Sequence, residues 1–118
     1  MGSEEKTGAR AETLLWLAQR VSAMVLALCV LVHIVVIIYA VRGGLSAAEI
    51  LGRTRGNTAG FVFYGLFVLA VSVHAPIGLR TVALEWLGWR GRSLEWAVLV
   101  AGLVLLALGW RAAWAVFA

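Results

Sequence analysis

The stretch VSAMVLALCVLVHIVVIIYAV, residues 21–41, decides the fold, because none of its residues carries a formal charge. Arg20 and Arg42 flank it on either side. A helix needs about 20 consecutive apolar residues to cross the hydrocarbon core of a bilayer, and this stretch is long enough. It predicts a transmembrane helix that contains His33 and the single cysteine of the chain, Cys29. One cysteine excludes a disulfide framework within the chain.

Two further apolar stretches follow the first. Residues 56–79 carry no formal charge, and residues 96–118 are interrupted only by Arg111. The chain of 118 residues is 63% hydrophobic and only 14% charged, which is more apolar surface than a soluble domain of this size could bury. We predict an all-α integral membrane protein, a single domain over residues 1–118 with three transmembrane helices at about 15–41, 58–86 and 94–117.

Basic residues predict the orientation of these helices. Lys6, Arg10, Arg20, Arg80, Arg90 and Arg92 flank the spans on the side of the N-terminus, and Arg42, Arg53, Arg55 and Arg111 lie on the other side. Because cytoplasmic segments are enriched in basic residues, six against four favours a cytoplasmic N-terminus. The net charge of +4 suits anionic headgroups, so membrane lipid rather than nucleic acid is the expected partner.

The segments around the first span carry local signals. Ser46 followed by Glu49 has the spacing of a capping box, and Gly52 is expected to end the short helix that this box begins. The segment ETLLWLAQR, residues 12–20, either begins the first transmembrane helix or lies along the headgroups, with Trp16 as an interfacial anchor.

His74 is the most informative polar residue of the second span, within VSVHAPIGLRTVALEW, residues 71–86. Gly78 follows four residues later, so it lies on the same helix face and leaves that face without a side chain. An imidazole beside a bare glycine suits an axial haem ligand, and a hydrogen bond to a neighbouring helix is the alternative interpretation. Pro76 leaves a carbonyl one turn earlier without its donor and predicts a kink.

His33 lies in the first span without a glycine one turn away, so an interhelical hydrogen bond explains it as well as iron ligation does. If Arg20 and Arg80 mark one membrane boundary, His33 is about 20 Å and His74 about 9 Å deep. This offset of about 10 Å predicts that the histidines serve different haems, or that only one serves any. Ligation by two histidines at matching depth then requires a second chain, identical or not.

A polar group gathers at the predicted cytoplasmic boundary. It comprises Gln19, Arg20, Ser22, Arg80, Glu85 and Trp86. Hydrogen-bond donors beside an apolar groove suit the carbonyl oxygens and the tail of a quinone, although snorkelling alone would explain each arginine. Arg111, at the predicted depth of His33, is a candidate partner of a haem propionate, and snorkelling to the outer surface is its alternative.

Two stretches resemble membrane-anchor subunits of the succinate dehydrogenase/fumarate reductase family. HAPIGLRTVALEW, residues 74–86, resembles the second-helix motif, in which a haem-ligating histidine precedes x-x-x-Gly, an arginine and an acidic–aromatic pair. QRVSAMVLAL, residues 19–28, resembles the start of the first helix, where His-Arg-x-Ser-Gly is common. Here Glu85–Trp86 replaces the Asp–Tyr pair of many relatives, and Gln19 and Ala23 replace the usual histidine and glycine.

The resemblance implies a cytochrome b-type anchor in the cell inner (cytoplasmic) membrane, an electron-transfer subunit rather than the site of dicarboxylate chemistry. Such anchors bind an iron–sulfur subunit carrying a flavoprotein, and pass electrons between its clusters and a membrane quinone. His74, beside Gly78, is the expected ligand of haem b, and His33, near Arg111, that of a second haem. Arg20, Ser22, Arg80, Glu85 and Trp86 are expected to line the quinone pocket. A second anchor chain is expected to complete an antiparallel bundle.

Two alternatives stay open at the level of sequence. The first is a haem-free, quinone-binding anchor of the same family, in which both histidines are structural. The second is a small helical membrane protein without a redox role.

Overall fold

A computed structural model describes residues 2–118 as four helices joined by short loops. Helix α1 is Ser3–Gly43, α2 is Ala47–Thr54, α3 is Thr58–Trp86 and α4 is Arg92–Phe117. The helices α1, α3 and α4 are each long and apolar enough to cross a membrane. The prediction of an all-α protein with three spans is therefore confirmed, and the described residues form no strand.

Helix α1 begins well before the predicted span. It starts at Ser3, with Glu4 and Glu5 in its first turn, where their negative charge complements the helix dipole. The segment of residues 12–20 therefore continues the transmembrane helix instead of lying flat as a separate element. At helical rise, 41 residues extend about 60 Å, roughly twice the hydrocarbon thickness, so the N-terminal part of α1 reaches beyond the membrane.

Helix α2 has the predicted capping box at its start but a different end. The Ser46 hydroxyl accepts from the Glu49 N–H, and the Glu49 carboxylate accepts from the Ser46 N–H. The Ser46 hydroxyl also donates to the Glu49 carboxylate at 2.7 Å, and this bond, followed by the one from the Ser46 N–H, holds the pKa of the Glu49 carboxyl below its usual value. The prediction that Gly52 ends the helix is wrong: α2 continues to Thr54, and the glycine in the left-handed conformation is Gly56, with a φ of 71°.

Helix α3 lies between α1 and α4, packs against both, and runs antiparallel to each. It continues through Pro76 without interruption. Glycines let α4 approach closely. A Cβ built on Gly102 would lie 3.3 Å from the Pro76 Cγ and from the Ser72 carbonyl oxygen, and one on Gly109 would lie 2.7 Å from the Val68 Cγ1. Two glycines one heptad apart therefore set the α3–α4 contact.

Candidate functional site

Two histidine–hydroxyl pairs connect α1 and α3. The His74 Nδ1 of α3 lies 3.4 Å from the Ser22 Oγ of α1. The His33 Nδ1 of α1 lies 3.2 Å from the Tyr64 hydroxyl of α3, and the two rings meet edge to face with centroids 5.6 Å apart. In both pairs Nδ1 is the engaged nitrogen, which leaves Nε2 for a ligand.

The surroundings of His74 are polar on the side of α1. The Ser22 hydroxyl donates to the main-chain carbonyl of Gln19 at 3.0 Å, and only 6% of Ser22 is exposed. The Gln19 amide lies over Gly78, since a Cβ built on that glycine would be 3.4 Å from the Gln19 Nε2. Within residues 2–118 the buried Gln19 Oε1 has no hydrogen-bond partner. The Gln19 side-chain amide therefore borders the face of α3 that Gly78 leaves without a side chain, and its oxygen lacks a hydrogen-bond donor.

The two pairs lie at clearly different depths. Eleven residues of α1 separate Ser22 from His33, which corresponds to about 16 Å at helical rise. The predicted difference in depth of about 10 Å between His33 and His74 is too small, because it assumed that Arg20 and Arg80 lie at the same level. The Arg80 guanidinium contacts Glu12, which lies about two turns before Arg20 in α1. The two arginines therefore do not mark the same membrane boundary. His33 and His74 of one chain are too far apart to bind the same iron.

Arg80 ties three helices together at one end of the bundle. Its guanidinium contacts the Glu12 carboxylate of α1 at 3.1 Å and the Glu95 carboxylate of α4 at 3.0 Å. The Arg80 side chain is only 15% exposed, so this double ion pair is shielded on the arginine side. Glu85, the acid that the sequence placed beside Arg80, does not contact it within the described chain. The structure thus gives Arg80 structural partners that the sequence did not indicate.

The other predicted quinone residues are more accessible. Arg20 is exposed, and its guanidinium carbon lies 5.1 Å from the centroid of the Trp16 ring, in a cation–π contact. Glu85 is exposed, and Trp86 is 82% exposed at the end of α3. These residues face away from the chain's own interior, so a ligand or a partner subunit can reach them.

His33 lines a mostly apolar pocket of about 480 Å³ between α1, α2, α3 and α4. Tyr64, Asn57 and Arg53 also line it, and Arg53 donates to the Gly44 carbonyl at 2.6 Å. Arg111 does not line this pocket and is exposed on α4. The basic residue that the structure places in a pocket with His33 is therefore Arg53 rather than the predicted Arg111.

No compact group of His, Cys, Asp and Glu forms a metal site in the part of the chain that the structure describes. Each histidine stands alone among such residues, as an axial haem ligand does, because a porphyrin supplies the other four nitrogens. In each pair the histidine keeps its Nε2 free, which is the donor that a haem iron would require.

A comparison with protein-family models matches residues 3–110 to the succinate dehydrogenase/fumarate reductase transmembrane subunit. The chain belongs to this family. The match includes both histidine–hydroxyl pairs and all of α1 and α3. Comparisons with curated proteins and with solved structures found no match. As a transmembrane subunit of this family, the protein is a multi-pass membrane protein that associates with the other subunits of such a complex.

Sequence reasoning missed four residues around these sites in this family member, namely Glu12, Arg53, Tyr64 and Glu95. Tyr64 could have been found once α1 and α3 were aligned antiparallel, because its distance from His74 in sequence nearly equals that between Ser22 and His33. Glu12 and Glu95 lie outside the predicted uncharged stretches and carry no motif. Only the packing of the three helix ends indicates them.

Proposed function

We propose that this protein is the cytochrome b-type anchor of a succinate:quinone or fumarate-reducing oxidoreductase in the cytoplasmic membrane. It binds haem b and quinone and passes electrons between an iron–sulfur subunit, which carries a flavoprotein, and the quinone pool. The observation that carries the proposal is the His74–Ser22 pair, in which an interhelical histidine has its Nδ1 engaged within a chain of this family.

A bound haem supplies one-electron redox chemistry. His74 would hold this haem through its Nε2, with Gly78 one turn further along the same face. The unpartnered Gln19 Oε1 can only accept, so it supports a bound group with a hydrogen-bond donor at this place, such as the hydroxyl of a reduced quinone. The quinone pocket is proposed at the same end of the bundle, lined by Arg20, Arg80, Glu85 and Trp86, whereas Ser22, which the sequence also assigned to it, contacts His74.

A second haem is proposed at His33. His33 lies about 16 Å from the Ser22 level, so if each haem were held by two histidines, the second histidine of each would come from another chain. A second anchor chain, a copy or a sister subunit, is the proposed source of both. Arg53 and Arg111 are the basic residues proposed for the propionates, and the shared pocket favours Arg53.

The test is the haem content of the purified complex of His74→Ala, with His33→Ala as the matched variant. We expect His74→Ala to lose one b-type haem signal while the subunit stays inserted with three spans, since only the axial bond is removed. His33→Ala should leave the His74-dependent signal and remove the second.

Three results would contradict the proposal in different ways. Unchanged haem content in His74→Ala would show that the ligand lies elsewhere. A wild-type complex without a b-type Soret band would establish the haem-free anchor. Stable purification of the chain without any flavoprotein or iron–sulfur subunit would contradict the anchor role itself.

A further inference from the structure

We propose that Ser22 is a positioning residue for His74, which holds the imidazole in the tautomer that can bind iron, and that it is not a quinone ligand. This inference rests on the proposed haem ligation by His74. It removes Ser22 from the set of residues that the sequence assigned to the quinone pocket.

The location of Ser22 separates it from the membrane. Only 6% of it is exposed, at the contact between α1 and α3, whereas the neighbouring Arg20 is exposed. The side chain on the other side of this contact is His74, 52 positions later in the sequence. The Ser22 hydroxyl is therefore less accessible to a quinone from the lipid than the Arg20 guanidinium is.

The hydrogen bonds of Ser22 determine which partner donates. A serine hydroxyl has one proton and two lone pairs. The Gln19 main-chain carbonyl can only accept and lies at 3.0 Å, closer to the Ser22 hydroxyl than the His74 Nδ1 at 3.4 Å. We therefore assign the hydroxyl proton to the carbonyl, and toward His74 the Ser22 oxygen accepts. The proton in the pair therefore lies on the His74 Nδ1, and in the neutral imidazole the Nε2 carries the free lone pair that iron requires.

The contact is weaker than an ideal hydrogen bond. Its 3.4 Å is a few tenths of an ångström longer than most N–H···O bonds. An acceptor at Nδ1 also makes the imidazole a stronger donor to iron, which stabilises the ferric state.

His33 lacks this arrangement. Tyr64 hydrogen-bonds to His33 through its hydroxyl, and within the described residues that hydroxyl has no second partner to take its proton. Either atom of that pair can donate, so Tyr64 does not select a tautomer as Ser22 does. The inference therefore concerns His74 alone.

The experiment uses the purified wild-type complex and its Ser22→Ala, Ser22→Cys and Ser22→Thr variants. The readouts are the midpoint potential and the electron paramagnetic resonance g-values of the haem, its affinity, and the KM for a quinone analogue. The matched control is Ser72→Ala, which removes a hydroxyl that donates to the Val68 carbonyl at 2.7 Å on the same helix as His74, two residues before it.

Removing the acceptor should weaken haem binding by about 10- to 100-fold and shift the g-values. The haem should become easier to reduce, by up to about tenfold in the ferrous-to-ferric ratio, or about 59 mV for one electron. Ser22→Cys, with a weak acceptor of similar size, should shift in the same direction by less, even if Ser22→Ala fails to assemble. Ser22→Thr and Ser72→Ala should resemble the wild type.

A changed KM with an unchanged potential and g-values in Ser22→Ala or Ser22→Cys would overturn the inference and return Ser22 to the quinone site. A shift of equal size in Ser72→Ala would also overturn it. A wild-type complex without haem would instead refute the proposed function, so the two failures are distinguishable.

Discussion

Arg20 and Arg80 look equivalent in sequence, since each borders an uncharged stretch. In the structure Arg80 holds Glu12 and Glu95 in a double ion pair, while Arg20 is exposed and packs on Trp16. A guanidinium that already has two carboxylate partners has less capacity to bind a third group, whereas Arg20 keeps its donors available. At the scale of single residues, Arg20 is therefore the stronger candidate for quinone binding.

We expect Arg20→Gln to raise the KM for quinone at least tenfold and to leave assembly unchanged. Arg80→Gln should instead lower the resistance of the complex to thermal inactivation, because it removes the ion pairs that link α1 and α4 to α3. Quinone kinetics and thermal inactivation of both variants, measured side by side, check this ranking. A larger KM effect in Arg80→Gln would show that Arg80 belongs to the quinone pocket as the sequence indicated.

Two glycines of α4 allow it to approach α3 closely, and near the end of α4 the Phe61 ring of α3 also packs on Trp110, Trp114 and Phe117. The Val68 side chain lies where the side chain of residue 109 would otherwise be. In lipid, where apolar surface is already solvated, such close backbone approach is the main source of helix association. The close contact between α3 and α4 thus depends on the absence of side chains at Gly102 and Gly109.

We expect Gly109→Ala to destabilise the subunit by about 1–3 kcal/mol, because its methyl group overlaps the stiff, branched Val68. Val68→Ala in the same chain should recover most of the loss, since it removes the overlapping methyl groups. The control is Gly65→Ala, where a Cβ meets nothing within 4 Å. Unfolding in detergent measures all three. Equal stability of Gly109→Ala and Gly65→Ala would contradict the close approach.

The whole molecule is an elongated bundle of 60 × 26 × 24 Å with very little interior of its own. Of the most apolar stretches of α1, α3 and α4, only 11%, 11% and 6% of residues are buried. Lipid covers such surface without cost, so this exposure does not by itself require a partner. The proposed second anchor chain rests instead on the depth difference between His33 and His74, since these two histidines of one chain cannot both bind one iron.

The predicted orientation is a property of the whole molecule and can be tested with single cysteines. In a Cys29→Ala background, we expect Ala47→Cys to react with a membrane-impermeant maleimide on intact cells. Thr7→Cys should react only after permeabilisation, because basic residues favour a cytoplasmic N-terminus. Both positions are exposed. Labelling of Thr7→Cys alone on intact cells would reverse the orientation.

The sequence by itself determined the three spans and the capping box, and it identified both histidines as candidate site residues. Each depends on local properties: the length of an uncharged stretch, a hydroxyl three residues before a carboxylate, and an ionisable group within an apolar segment. The resemblance carried by His74, Gly78 and Arg80 was likewise readable from their spacing, and the family match over residues 3–110 confirms the family.

Only the tertiary structure decided which residues meet. It paired Ser22 with His74, Tyr64 with His33, and Glu12 and Glu95 with Arg80. These partners depend on the register of α1 and α4 along α3. Close contacts between helices that are distant in sequence set this register. The length of an apolar stretch does not predict this register, because a helix shifted by one turn relative to its neighbour still places the same apolar residues in lipid.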